Sequence, residues 1–391
     1  ARMSPAGRRT ATVAVGAGAL GGVSAGESLV LDLGADHPST HGGMRLALEL
    51  DDDVTDAVIT AADPHIGFVH RGAEKLFEVR DYRQILMLAN RHDWLSSFAG
   101  EVGVALAVER LMGLAVPPRA TRLRTALLEL NRASAGLAFL GTVPGDDGRA
   151  VVRTVAQREM LLRVFEEVTG GRVHLMFTRI GGVQQDVPAG WIDRTVGVVD
   201  RLLAELGPIT EALLTAEPVR RLAGVGAVTP ELVDAYGLSG PVARAAGVPL
   251  DLRRDEAYLD YPSLDLTVLA RTTAGPGDVP SRLACLCDDV RGGLLLAREC
   301  LTSLPSGPVN VRLPKLVRAP EDETYSWIEA PLGIAGCHLV SRGGTTPWRL
   351  KLRTPSFATL SALPAILPGV VLQDLPAVLA SLFFVLGDAD R

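Results

Sequence analysis

The stretch GEVGVALAVERLMGLAVPPRATRLRTALLELNRASAGLAFLGT (residues 100–142) carries the strongest helical pattern of the chain. Apolar residues recur in it at intervals of three and four positions, which is typical of helices buried against other elements. The pair Pro117–Pro118 divides the stretch, because proline suits the first turn of a helix and disrupts its interior. The sequence therefore predicts two consecutive buried helices, within a helical region that runs from about 72 to 141.

Patterns on either side of this stretch indicate the rest of the architecture. Helical patterns also occur at residues 153–168, 190–206 and 281–303. Strand-like alternation occurs at residues 29–33 and 44–62, and in TYSWIEAP (324–331), GCHLVS (336–341) and WRLKLRTPS (348–356). Residues 224–280 are rich in Gly, Pro, Asp and Arg and are predicted to be mostly loop. Because strands and helices do not alternate, we predict the α+β class, with a central helical bundle flanked by small β-sheets.

Composition excludes several classes of protein. Of the 391 residues 47% are hydrophobic and 21% charged, which is enough apolar material for a sizeable core and excludes wholesale disorder. The formal net charge of −6 argues against a nucleic-acid partner. The longest apolar stretches, 11–25 and 375–387, fall short of the roughly 18–20 residues of a membrane span. We therefore expect any membrane contact to be peripheral or through a partner.

The cysteines do not predict a metal centre. Cys285, Cys287, Cys300 and Cys337 form no CxxC pair, so a four-cysteine zinc or iron–sulfur site is not expected in this chain. A chain of this size also needs no disulfides. We predict buried, inert thiols.

The N-terminal segment contains two weak motifs. Gly16, Gly18 and Gly21 form a GxGxxG pattern, but the following residues make a poor crossover helix, so we predict no dinucleotide site there. The pair Arg8–Arg9 before a run of small residues resembles an export signal equally weakly. Residues 1–28 are predicted to be a flexible leader, and residues 29–391 a single domain.

Histidines are concentrated in one part of the chain. Five of the seven, namely His37, His41, His65, His70 and His92, fall within 56 residues. The loop GADHPSTHGG (34–43) places the first two between proline and glycine, where an imidazole can donate a proton to a carbonyl or quinone oxygen. Surface histidines without a role explain the same pattern. A metal site of His37, His41, His70 and Asp93, as in a metal-dependent hydrolase, is a further alternative, although no compact ligand spacing supports it.

Several long segments, in order, resemble the 49-kDa (D) subunit family of respiratory complex I, the proton-translocating NADH–quinone oxidoreductase. They are GADHPSTHGG, PHIGFVHRGAEKL, Arg91–Trp94, RLMGLAVPPRA, LAFLGT, RIGGVQQD and the tail TPSFATLSALP…LGDADR. The resemblance covers residues 29–391. It implies a fold like that of nickel–iron hydrogenase large subunits without their nickel-binding cysteines, and this chain likewise has no CxxC pair.

The resemblance implies a subunit that is active only within a larger complex. It would form a quinone chamber together with a small iron–sulfur subunit, which holds the terminal [4Fe–4S] cluster. Electrons would pass from that cluster to the quinone, and proton translocation would take place in the membrane arm. NADH would be used by the complex and not bound here. The chain would lie peripherally on the cytoplasmic side of the cell inner membrane.

Site residues follow from the same resemblance. His41 would hydrogen-bond a quinone carbonyl, Asp146 would orient or charge-couple this histidine, and His37 would shape the loop. Arg91 and His174 would face the partner's cluster. A cation there stabilises an added electron, and a titrating histidine makes the cluster potential depend on pH.

Two departures from the family pattern fall on the chamber. Trp94 stands where the family has a tyrosine that donates to the quinone, and tryptophan donates only through its indole N–H. Gly136 stands where the family has a histidine. The alternative prediction is therefore a divergent paralogue that serves structure or assembly without efficient quinone reduction. The remaining histidines, His65, His70 and His92, are expected to be structural.

Overall fold

The computed structural model of the chain describes residues 9–11, 43–51, 57–143, 149–269 and 275–391. The predicted strand at 29–33, the GxGxxG motif, His37, His41 and Asp146 lie outside these residues. Arg9–Ala11, within the segment predicted as a leader, pair with a strand of the first sheet.

The helices and strands have the following bounds. The strands are β1 (Arg9–Ala11), β2 (Arg45–Leu50), β3 (Ile59–His65), β4 (Thr178–Arg179), β5 (Gly182–Val183), β6 (Glu321–Ala330), β7 (Gly333–Arg342) and β8 (Arg349–Arg353). The longer helices are α2 (Ile85–His92), α3 (Ser97–Met112), α4 (Pro118–Leu140), α5 (Arg149–Thr169), α6 (Trp191–Thr215) and α11 (Val279–Thr302). The shorter helices are α1 (Ala73–Phe77), α7 (Glu217–Arg220), α8 (Pro230–Tyr236), α9 (Gly240–Ala245), α10 (Leu252–Asp255), α12 (Pro355–Ser361), α13 (Leu363–Ile366), α14 (Leu375–Ala380) and α15 (Leu386–Ala389).

Long helices form the centre of the molecule. α11 packs along α4 and α6, and α5 packs against both of these helices. Their apolar faces share one core, in which Phe139, Phe165 and Trp191 are fully buried. The two helices predicted within residues 100–142 are confirmed as α3 and α4. Helix α3 ends at Gly113, whose φ of 62° suits glycine, and α4 begins at Pro118.

Small antiparallel sheets flank this bundle. One has the order β1-β2-β3, the other β6-β7-β8, and β4 and β5 form a separate hairpin. Side chains of α2 and α3 pack against β7 and β8 in a second core that includes Ile85, Val108, Leu339 and Leu350. The predicted α+β class is confirmed. The second core also fixes the end of α2, where the site residues lie.

Most of the described residues within 224–280 lie outside helices and strands, as predicted, but the segment also contains short helices that the sequence did not predict. The segment contains α8, α9 and α10, together with two 3₁₀ turns. The helices are only four to seven residues long, so periodicity does not reveal them. Side-chain caps hold two of them, because Thr229 accepts from the N–H of Leu232 and Asp251 from that of Arg253.

The structure shows the environment of the cysteines and the apolar character of the described helices. All four cysteines are free and buried, as predicted. Burial raises the pKa of the Cys285, Cys287 and Cys337 thiols to about 12. No helix in the described ranges combines the length and apolar character needed to cross a bilayer.

Candidate functional site

The described site residues lie around the end of α2. Arg91 is in the last turn of this helix, Trp94 is in the turn that follows, and His174 is in the link between α5 and β4. His37, His41 and Asp146 lie outside the described residues, so their predicted roles stay predictions.

Arg91 is exposed and faces a thioether. Its Nε donates to Oδ1 of the buried Asn90 at 2.9 Å, and its Nη2 lies 3.6 Å from Sδ of Met176. Arg91 forms no ion pair with any residue that the structure describes. A guanidinium in this setting keeps its full positive charge available to a partner.

His174 is joined to the same asparagine. Its Nδ1 lies 3.1 Å from the main-chain oxygen of Asn90. A carbonyl oxygen only accepts, so Nδ1 carries the hydrogen in this contact. Arg91 and His174, 83 positions apart in sequence, are thus both bonded to Asn90.

Glu101 bonds to both segments that carry these site residues, and it was not predicted from the sequence. It is a fully buried residue of α3, and its carboxylate accepts four N–H donors. Oε1 accepts from Asn90 Nδ2 at 3.0 Å and from the N–H of Met176 at 2.5 Å. Oε2 accepts from the N–H groups of Phe177 and Thr178, each at 2.9 Å. Burial raises the pKa of Glu101, and these four donors act against the rise. An acidic residue in an otherwise apolar helical run is the sequence signal that points to it.

A cavity of about 390 Å³ lies beside Glu101 and Met176. Met87, Ile180 and Leu313 give it apolar walls, and Arg83 and Arg179 bring positive charge to it. Its arginines bond to main-chain oxygens, such as Arg83 Nη2 to Pro314 at 2.6 Å and Arg179 Nη1 to Met176 at 2.6 Å. The cavity is therefore lined by apolar and cationic side chains, and Met176, which contacts Arg91, is one of its lining residues.

Trp94 lies in a turn held from two sides. Oδ1 of Asp93 accepts from the N–H of Ser96 at 3.0 Å, and Asn131 Nδ2 donates to the main-chain oxygen of Leu95 at 3.1 Å. The half-buried indole packs against the main core. The tryptophan is thus a fixed part of the turn that joins α2 to α3.

The second departure, Gly136, is required by packing. A Cβ placed on it would lie 2.4 Å from Cγ2 of Val290 on α11. The family's histidine therefore does not fit here unless α4 and α11 move apart.

Two carboxyl groups and an imidazole lie together next to this turn. Burial and the negative charge of Asp388 raise the pKa of Asp93 to about 7. Nε2 of His92 lies 3.8 Å from Oδ1 of Asp388, and burial lowers the pKa of His92. Oδ2 of Asp388 accepts from the N–H of Ser356 at 3.1 Å. Neither Asp93 nor His92 has an arginine or lysine bonded to it in the described part of the chain.

His70 and His65, which were predicted to be structural, have different surroundings. Nδ1 of His70 lies 2.9 Å from the main-chain oxygen of Asp390. The carboxylate of Asp390 accepts from the N–H groups of Gly67 and Val69 at 2.8 and 3.0 Å. His65 is exposed beside Asp63 at 3.3 Å.

No three His, Cys, Asp or Glu side chains within the described ranges are arranged to hold a metal ion. The alternative metal site included His37 and His41, which lie outside them.

A separate set of buried charges lies inside the bundle. We call it the core ion network; it consists of Glu129, Arg132, Arg244, Asp251, Arg253, Asp289 and Glu329. Arg253 contacts Asp251 at 2.6 Å and both Glu129 and Asp289 at 3.2 Å. Burial alone would raise the pKa of Glu129, but Arg132 and Arg253 hold it below its usual value. Each arginine of the network is paired with at least one of the buried carboxyl groups, which indicates a structural role.

Comparison with known proteins identifies the family of the chain. The sequence model of the 49-kDa subunit of respiratory-chain NADH dehydrogenase matches residues 149–318 and 314–391. The second NADH-quinone oxidoreductase D subunit of Salinispora tropica is 51% identical over 388 residues, which cover 98% of this chain and 97% of the relative. The first D subunit of Streptomyces coelicolor is 51% identical over 380 residues, covering 95% and 97% respectively. The D subunit of Geobacillus kaustophilus is 38% identical over 368 residues, covering 93% and 98%. Matches of this extent show that the chain belongs to the family of the 49-kDa subunit of the respiratory-chain NADH dehydrogenase.

Proposed function

We propose that this chain is the quinone-site subunit of a complex I-type NADH–quinone oxidoreductase. In this role it passes electrons from a [4Fe–4S] cluster, held by a small iron–sulfur partner subunit, to a quinone, and the membrane arm couples the reaction to proton translocation. The observation that carries the proposal is the placement of Arg91 and His174 around one asparagine, Asn90. The relatives named as D subunits of NADH-quinone oxidoreductase support it.

Arg91 and His174 fit a neighbour that gains negative charge. The guanidinium of Arg91 is exposed and has no counter-charge within the described ranges, so it stabilises an electron added nearby. A histidine at the same place binds a proton more tightly when that electron is present. When the complex is assembled, the cluster supplies the electrons, and this chain supplies the charge and the titrating group that face it.

The quinone end of the reaction falls on other residues. Reduction of a quinone to a quinol takes two electrons and two protons, so the chamber needs proton donors beside the carbonyl oxygens. We assign His41 as one donor, Asp146 as its charge partner and His37 as a loop residue. Trp94 replaces the family's second donor. NADH is oxidised elsewhere in the complex, and we place this chain peripherally on the cytoplasmic side of the inner membrane.

The complex that contains this chain tests the proposal directly. Purification through a tag on this chain, followed by mass spectrometry, is expected to recover a small iron–sulfur subunit and the membrane-arm subunits. The purified complex is expected to reduce quinone, and Arg91→Ala and His174→Ala are each expected to alter the electron paramagnetic resonance spectrum of the terminal cluster. Arg298→Ala, which removes an exposed ion pair with Asp200, is the control and should leave this spectrum unchanged. An unchanged spectrum in both site variants would contradict the proposal.

Trp94 favours a second candidate, a paralogue that serves structure or assembly. The indole cannot replace a phenol hydroxyl in position or acidity. If the chamber works, Trp94→Tyr should preserve or raise the rate of quinone reduction. A complex that reduces no quinone, and in which Trp94→Tyr restores none, supports the second candidate instead.

A further inference from the structure

We propose that Glu101 is a positioning residue that sets the mutual placement of Arg91 and His174. Its carboxylate holds the main chain that follows His174 against the end of the helix that carries Arg91. The inference rests on the proposed function, because the relative position of these two side chains matters only if they face a common redox group.

The hydrogen bonds of Glu101 join two segments that are remote in sequence. On one side it accepts from Nδ2 of Asn90, the residue that holds both Arg91 and His174. On the other side it accepts from three consecutive main-chain N–H groups, those of Met176, Phe177 and Thr178. All four donors meet one buried carboxylate, so the α2 end and the segment after His174 cannot shift independently.

Backbone strain shows that this segment is held in place. Met176 has φ of 48°, a left-handed conformation that residues other than glycine rarely adopt. Such conformations persist only where surrounding contacts hold them. Glu101 bonds the N–H of Met176 itself, and this conformation brings Sδ of Met176 within 3.6 Å of Arg91 Nη2.

The donor set requires a carboxylate. All four groups that face Glu101 are N–H donors, and an ionised carboxylate is an acceptor only. In Glu101→Gln one oxygen is replaced by an NH₂ group, which meets N–H donors with further donors. Glutamine has nearly the same shape as glutamate, so the variant loses hydrogen bonds to one of the two segments without leaving a cavity. Glu101→Asp keeps both acceptor oxygens on a shorter stem.

Glu109 provides a matched control on the same helix. It is also buried, it accepts from the N–H of Gly181 at 2.6 Å, and it pairs with Arg124 at 2.7 and 2.9 Å. It thus holds the turn between β4 and β5. It has no bond to Asn90 or Met176 in the described part of the chain. Glu109→Gln therefore loosens this turn, away from Arg91 and His174.

The test is the midpoint potential of the terminal cluster as a function of pH, measured in the assembled complex. We expect Glu101→Gln to lose the pH dependence, as His174→Ala does, and Glu101→Asp to retain part of it. Glu109→Gln is expected to keep the wild-type pH dependence even where it lowers the yield of complex. If Glu101→Gln does not assemble, Glu101→Asp is decisive, and its expected result is a reduced pH dependence.

Results that contradict this inference differ from results that contradict the proposed function. A wild-type pH dependence in the Glu101 variants, with loss in His174→Ala, overturns the inference and leaves the function intact. Equal loss in Glu101→Gln and Glu109→Gln also overturns it, because that result shows general loosening. A wild-type pH dependence in His174→Ala itself contradicts the role of His174 in the proposed function.

Discussion

Inside the bundle, three arginines and four carboxyl groups pair with one another, whereas at the end of α2 the buried carboxylate of Glu101 is matched by N–H groups alone. In the core ion network, buried groups of opposite charge are bonded directly to one another. At the α2 end, the donors are neutral amides, and the nearby Arg91 has no counter-charge in the part of the chain that the structure describes. Charges in the first region are thus paired within the chain, whereas the charge of Arg91 has no opposite charge bonded to it among the described residues.

The most damaging change should be one in the core ion network. Arg253→Ala leaves the carboxylates of Glu129, Asp251 and Asp289 buried without their shared cation, so we expect a loss of about 3–5 kcal/mol in the free energy of unfolding. Urea unfolding of the full chain measures it. The exposed pair of Arg298 and Asp200 is the control, and Arg298→Ala should cost less than about 1 kcal/mol. Similar losses in the two variants would show that the core ion network is not a distinct region.

Asp93 contrasts with the core ion network: its carboxyl group is buried, but no arginine or lysine of the described residues is bonded to it. Its pKa is about 7 in the folded chain and about 3.8 when unperturbed, so the folded state binds this proton more tightly. The wild type therefore loses stability as pH rises from about 4 to about 7, and the penalty is fully present above pH 7. Asp93→Asn keeps an acceptor for Ser96 and removes the penalty, which at pH 8 is worth up to about 4 kcal/mol.

Thermal unfolding of wild type and Asp93→Asn at pH 4 and pH 8 measures this effect. We expect the variant to be the more stable protein at pH 8 and the two to converge at pH 4. A variant that is less stable by the same amount at both values would contradict a titrating Asp93.

Packing provides a smaller test of the bundle. The added Cβ of Gly136→Ala would meet Cγ2 of Val290 at 2.4 Å, so the Val290 side chain or the two helices must shift, at a cost of about 1–3 kcal/mol. Gly103→Ala on α3 is the control, because its Cβ would lie 3.7 Å from Ile328, an ordinary contact. Equal urea midpoints for these two variants would show that the α4–α11 contact is not tight.

The smallest expected effect lies on the surface of α6. Apart from the adjacent backbone of α6, no atom of the described residues lies within 4 Å of the Cβ position of Gly197, so Gly197→Ala gains helix propensity without a clash. We expect a gain of about 0.5–1 kcal/mol in the free energy of unfolding, seen as a higher melting temperature. A lower melting temperature for Gly197→Ala would show that another part of the chain packs against α6 at this position.

Sequence patterns predicted the bundle better than the site. Helices α3 and α4 are long and strongly periodic, so their positions follow from the residues themselves. Helices α8 to α10 were missed because tertiary contacts and single caps stabilise them. In the site, Arg91 and His174 came from motifs, but the bonds of Glu101 to residues 176–178 span 75 to 77 positions. No local pattern contains such a contact, and the acidic residue in an apolar run is its only trace.

The contact of Asp390 with the loop at Gly67 and Val69 has a consequence for how the subunit is made. Its two sides are separated by 323 and 321 positions, so all the residues between Gly67 and Asp390 must be synthesised before they can meet. Contacts between such distant residues form slowly and leave apolar surface exposed in the meantime. The α2 end, which Asp388 also contacts through His92, therefore reaches its final form only after the chain has been synthesised beyond Asp388.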